Sequence, residues 1–154
     1  MSRYTVTPDP LESADVLELL QLHLDDMHKT SPACKVHALP AERLRDEDVT
    51  FFAVRQDGVL AAIGALKALG DRRGELKSMR ASPDFRGKGA GRALLEHLIA
   101  EARARDIHWL GLETGRSPNF TDAHRLYESY GFRECEAFGA YVTDDFSVCM
   151  ERSL

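Results

Sequence analysis

Asp84-Phe85-Arg86-Gly87-Lys88-Gly89-Ala90-Gly91-Arg92 separates a strand-like run from an amphipathic helix, and its reading decides the fold. Glycines at 87, 89 and 91 let the backbone approach a ligand closely. A helix beginning at Gly91 or Arg92 leaves its first amide N–H groups unpaired and carries partial positive charge there. Arg86, Lys88 and Arg92 add formal charge. Together these features suit a pyrophosphate. The same residues also read as a plain glycine-containing turn with solvated basic side chains. Two nucleotide motifs fail on spacing. A P-loop needs Ser or Thr after its lysine, and Lys88 is followed by Gly89. A dinucleotide fingerprint needs Gly-x-Gly-x-x-Gly, and its third glycine would fall on Arg92.

Downstream, Leu94, Leu95, Leu98, Ile99 and Ala102 line one face of that helix. Ile107–Glu113 reads as a strand. Asn119 then caps a second helix with the stripe Ala123, Leu126, Tyr127 and Tyr130, and Gly131 suits the position just past its end. Two late strands follow, 132–137 and 147–151. Upstream, a first strand ends at Val6. Asp9-Pro10-Leu11-Glu12 predicts a helix start, with Leu17, Leu20, Leu24 and Met27 at helical spacing. Pro32 stops that helix, residues 31–40 form a loop, and a short helix is expected around 41–45. Thr50–Arg55 and Val59–Leu69 flank Asp57-Gly58, a hairpin signal. Glu75–Ala81 adds a third strand. The order β-α-β-β-β-α-β-α-β-β predicts an α/β (α+β) fold with helices flanking a sheet.

The whole chain, 154 residues, matches one domain, 1–154. A formal charge of −5 argues against a nucleic-acid partner, which needs a basic surface. Yet residues 72–92 hold seven basic side chains against Glu75 and Asp84, so positive charge is concentrated around the glycine segment. No apolar run is long enough to span a bilayer, so no membrane partner is expected. The start lacks the apolar stretch of a signal peptide. Cys34, Cys135 and Cys149 are odd in number and scattered, which fits neither a disulfide framework nor zinc. A cytoplasmic location and no metal follow as expectations.

Three pieces resemble one family in the right order. Arg86-Gly87-Lys88-Gly89-Ala90-Gly91 resembles the Arg/Gln-x-x-Gly-x-Gly/Ala signature of the GCN5-related N-acetyltransferases (GNAT). Met79-Arg80-Ala81-Ser82-Pro83 looks like that family's cofactor-binding strand and its exit. Leu126-Tyr127-Glu128-Ser129-Tyr130-Gly131-Phe132 is similar to its LYxxxGF segment. The resemblance implies a central mixed, mostly antiparallel sheet flanked by helices. It implies transfer of an acetyl group from acetyl-CoA to an amine by direct attack in a ternary complex. Met79, Arg80 and Ala81 would meet the pantetheine arm through their main chain. Arg86, Gly87, Lys88, Gly89, Ala90, Gly91 and Arg92 would hold the phosphates.

The same resemblance makes Tyr127 the acid for the departing sulfur. Glu75, eleven residues before Arg86, is the leading base, as in the histone-acetylating branch of the family. Glu113 competes with it and is also a candidate for acceptor binding, and water-mediated transfer remains a third route. The family often has Asn seven residues before the motif tyrosine. Here Phe120 holds that place and Asn119 precedes it, so Asn119 is either a cofactor contact or only a helix cap. The acceptor site is expected after the first helix, where His23 to Pro32 mixes His, Met and acids. Met27 and His28 are the substrate-binding candidates, Asp25 and Asp26 would attract a cation, and residues 141–146 offer a second wall. The leading reading is an enzyme for a small-molecule amine. A protein or peptide acetyltransferase and a non-catalytic acyl-CoA sensor are the alternatives, and a homodimer is compatible with the family.

Overall fold

In the computed structural model, seven strands and four α-helices follow one another along the described residues, which are 3–30, 40–139, 141–142 and 144–154, without the side chains of His28, Thr30 and Asn119. The order is β1 (Thr5–Pro8), α1 (Ala14–Thr30), α2 (Ala41–Leu44), β2 (Val49–Gln56), β3 (Val59–Gly70), β4 (Arg73–Ala81), α3 (Ala90–Ala104), β5 (Trp109–Gly115), α4 (Thr121–Ser129), β6 (Arg133–Cys135) and β7 (Ser147–Ser153). All these strands join one sheet in the order β1-β2-β3-β4-β5-β7-β6. Every neighbouring pair is antiparallel except β4 and β5. A parallel pair needs a crossover, and α3 supplies it. The sheet is therefore mixed and mostly antiparallel, as the resemblance implied. No helix among the described residues is long and apolar enough to cross a membrane.

Helices cover both faces, so the central strands are apolar on both sides rather than alternating. On one face α3 and α4 pack Leu94, Leu95, Leu98 and Tyr127 against Phe52, Leu66, Leu110, Leu112 and Met150. On the other, α1 and α2 pack Val16, Leu19, Leu20 and Leu44 against Phe51, Ala53, Ile63 and Ala65. Burying one such leucine contributes about 1.5–3 kcal/mol, so these stripes fix where each helix lies.

The structure moves several expected boundaries. Asp9 does not cap α1. Its Oδ1 accepts the Leu11 N–H at 2.8 Å, Leu11 takes a left-handed φ of 60° with its side chain buried, and the helix waits until Ala14. The buried stripe of α1 accordingly runs through Val16, Leu19, Leu20 and His23, with Leu17 and Leu24 at its margins. Asn119 does not cap α4 either. Residues 118–120 make a single 3-10 turn, and Phe120 takes the cap position with no side-chain bond. Helix α3 starts at Ala90, capped by Gly89 at φ 88°.

Candidate active site

The parallel ladder between β4 and β5 is three pairs long, from Arg73↔Trp109 to Glu75↔Gly111. Beyond it the two strands diverge into a fork. A bulge in β4 helps to open it. Between Ile63↔Arg80 and Ala65↔Lys77, β4 contains one more residue than β3, and Ser78 there has a φ of 56°. Gly64 faces this bulge. A Cβ at Gly64 would sit 2.6 Å from the Met79 sulfur and 2.8 Å from Leu94, so only glycine lets Met79 tuck against α3. The outer edge of β4 past Glu75 thus has no strand partner among the described residues, and its main chain is left to bond a ligand.

Within the fork lies a cavity of about 80 Å³ lined from both faces of the sheet. Cross-strand partners share a face. Lys77 pairs with Ala65 of the α1-side core, and Leu76 pairs with Leu66 of the α3-side core. Alternation therefore places Glu75 and Lys77 on the α1 side. Glu113 lies on that side too, because its neighbour Leu112 belongs to the opposite core. Tyr127 reaches the cavity from α4 on the far face. The cleft passes through the sheet, with a phenol at one end and carboxylates at the other.

The carboxylate end is tightly wired. Glu75 is 5% exposed. Lys77 Nζ donates to Glu75 Oε2 at 2.9 Å and to the Tyr141 hydroxyl oxygen at 2.7 Å, and the Tyr141 hydroxyl donates to Glu75. Phe138 packs edge-on against Tyr141 and Trp109, which steadies this wall. Burial raises the Tyr141 pKa, and the Glu75 charge adds to that shift, so the phenol keeps its proton. Glu113 forms no ion pair with a described residue. Burial raises its pKa above the usual carboxylate value, and the Glu75 charge pushes the same way, against a hydrogen bond from Ser147 and the charge of Lys77.

At the other end, Tyr127 is 6% exposed and its hydroxyl makes no hydrogen bond to a described residue. Burial alone raises its pKa, so it stays a phenol at neutral pH. The glycine segment lies at the α3 N-terminus. The first-turn amides of Ala90, Gly91 and Arg92 have no acceptor within the helix. The Lys88 amide is committed, donating to the Phe85 carbonyl at 3.2 Å, and the Lys88 carbonyl accepts the Tyr4 hydroxyl at 2.7 Å. Arg86, Lys88 and Arg92 are all exposed. Arg92 stacks over the Tyr130 ring, 5.5 Å from its centroid.

Residues 16–132 match the model of the acetyltransferase (GNAT) family. The chain belongs to that family. This GNAT protein is 41% identical to the uncharacterized N-acetyltransferase YedL of Escherichia coli, over 98% of this chain and 95% of the other. It is 36% identical to an IAA acetyltransferase of Azospirillum brasilense, over 94% of each. A solved Klebsiella pneumoniae chain described as an acyl-CoA N-acyltransferase superposes with a TM-score of 0.78 at 33% identity, covering 98% of this chain and 97% of that one. The GNAT chain is an N-acetyltransferase.

The GNAT site brings together Tyr127, Glu75, Met79, Glu113 and Met27, which all line the one cleft. Arg80 and Ala81 continue the same strand, but the Arg80 side chain is spent on Asp26 of α1 rather than on the cleft. Asp26 is thus paired, contrary to its expected part in drawing a cation. The side chains of His28 and Asn119 lie outside the described residues, as does most of the loop after α1. Sequence reasoning missed Lys77. The available signal was Glu75-x-Lys77 on a strand, a spacing that puts opposite charges on one face. It also passed over Phe120, whose ring lies over Gly115 and forms part of the cleft wall.

Proposed function

We propose that this chain moves the acetyl group of acetyl-CoA onto the primary amine of a small molecule by direct attack in a ternary complex. The observation that supports it most is the through-sheet cleft, with Tyr127 on one face and Glu75, Lys77, Glu113 and Tyr141 on the other. Acetyl-CoA, when bound, supplies an activated acetyl group and a thiolate leaving group. The unpartnered edge of β4 (Met79, Arg80 and Ala81) and the first-turn amides of α3 suit its arm and phosphates, with Arg86, Lys88 and Arg92 adding charge at the rim. An attacking amine must be neutral and must shed a proton as the amide forms. Glu113 is the better acceptor of that proton. It lacks an ion-pair partner among the described residues and its pKa is raised. Glu75 is engaged by Lys77 and Tyr141, so it fixes the geometry and field around Glu113. Tyr127 holds the proton that the departing sulfur needs.

The small-molecule reading draws on the size of the cleft and on a near-full-length relative named for IAA rather than for a polypeptide. The joining of all described strands into one sheet supports reading 1–154 as one domain, and free Cys135 and Cys149 fit a reducing cytoplasm. An acceptor panel of polyamines, amino acids, aminoglycosides and peptides with acetyl-CoA tests the proposal by thiol release. Amine-dependent release with small acceptors is expected. Release with peptides alone would replace it by protein acetylation, and CoA binding without acceptor-dependent release by a sensor.

A further inference from the structure

We infer that His23 is a specificity-determining residue, hydrogen-bonding a neutral hydroxyl or amide carried by the amine acceptor. This rests on the small-molecule reading above. His23 lies on α1 and lines the cleft one helical turn before Met27. It is 8% exposed, yet its buried Nδ1 has no partner among the described residues. Ser78 Oγ, at the β4 bulge, lines the same cleft and is orphaned in the same way. Native interiors pair roughly nine in ten buried polar atoms, so two orphans in one cavity wall mark a place that something else completes.

The chemistry of that group follows from charge. Among the charged residues that line the chamber, Lys77 offsets Glu75 and Glu113 is left over. A monocation balances the set. Burial lowers the His23 pKa to about 4, with the Arg80 charge adding to the effect, so the ring is neutral at pH 7. A neutral imidazole offers one donor and one acceptor. The orphaned Nδ1 donates or accepts according to tautomer, and a hydroxyl or an amide answers either form, whereas a carboxylate can only accept. A carboxylate would also face the uncompensated Glu113. The acceptor class is therefore a primary amine with a neutral hydrogen-bonding group, such as an amino alcohol or an amino-acid amide.

The test measures kcat/KM with acetyl-CoA for ethanolamine, 3-aminopropanol and 4-aminobutanol against alkylamines of matched length, and for glycinamide against glycine. Wild type should favour the hydroxylated or amide-bearing member of its best pair by about tenfold, the worth of one buried hydrogen bond. His23→Phe fills the same space without ring nitrogens and should bring the ratio near one, mainly through KM. His23→Asn restores a donor and acceptor near the Nδ1 position and should recover part of it. A ratio cannot be moved by general loss of folded enzyme. Alkylamine turnover without discrimination would overturn the His23 inference and leave the small-molecule reading standing. A ratio that survives in His23→Phe would overturn it too. Peptide acetylation with no small amine accepted would sink both.

Discussion

Tyr127 and Glu113 divide the proton traffic because burial acts on each with the sign its task needs. Desolvation raises both pKa values. For Tyr127 that keeps an acid protonated, and for Glu113 it makes a base stronger. Removing a general acid costs about 100-fold or more in rate, so Tyr127→Phe should lower kcat by that order while leaving CoA affinity and melting temperature nearly unchanged. Equal turnover in a thiol-release assay would show that Tyr127 only packs. The base has a sharper signature. Activity should fall as pH drops through the raised Glu113 pKa, and Glu113→Gln should abolish this acidic limb. Glu75→Gln should keep the limb but move its midpoint to lower pH, because a negative charge that favours protonation of Glu113 is gone. Loss of the limb in Glu75→Gln alone would assign the base to Glu75. Tyr127 was legible from the Leu-Tyr-x-x-x-Gly-Phe pattern in the sequence. Lys77 was legible only in half: the Glu75-x-Lys77 spacing puts both charges on one face, but its Tyr141 partner comes from 64 positions away.

Among the elements, the turn into α3 carries the cofactor assignment. Gly89 is left-handed at φ 88°, and a Cβ placed there would meet nothing closer than the Tyr4 ring at 3.9 Å. Conformation, not crowding, is what a side chain would upset. Gly89→Val forces a β-branched residue into that region, at a cost of about 1–3 kcal/mol, or a rearranged turn that misaims the first-turn amides. CoA affinity measured by calorimetry should drop at least about tenfold. Unchanged affinity would remove the pyrophosphate role from this segment. The hairpin Asp57-Gly58, the helix α3 and Gly131 at the end of α4 follow from local chemistry, and the sequence showed them. The start of α1 did not show, because Asp9 closes a turn on Leu11 instead of opening a helix. The α4 cap failed for a similar reason, since a 3-10 turn intervenes at Pro118. The β4 bulge had no local sign. It depends on Gly64, a residue of the neighbouring strand.

Over the whole molecule, charge and burial set a limit on acid stability. His23 has a pKa of about 4 when folded against 6.5 for a free side chain, so the unfolded chain binds a proton that the folded chain refuses. Stability should therefore decline as pH falls from 6.5 towards 4, and be fully expressed above that window. The melting temperature of wild type should fall relative to that of His23→Phe as pH is lowered through it; a constant difference between the two would contradict the shift. The basic segment at 72–92 is also less free than its composition suggested. Lys77 and Arg80 are paired with Glu75 and Asp26, and Arg72 meets Asp106, so the charge left to face a ligand near α3 belongs to Arg86, Lys88 and Arg92. Strand order was within reach of the family resemblance, whereas these pairings needed coordinates. The short junction between β4 and β5 has a mechanical side. Four strands lie to one side of it and three to the other, and only three register pairs stitch the two leaves together. The cleft that opens beyond the last stitch is walled by both leaves, so whatever occupies it acts as a clasp across the seam. An occupant touching both walls adds a link across a seam whose other ties are three register pairs and the core beneath α3 and α4.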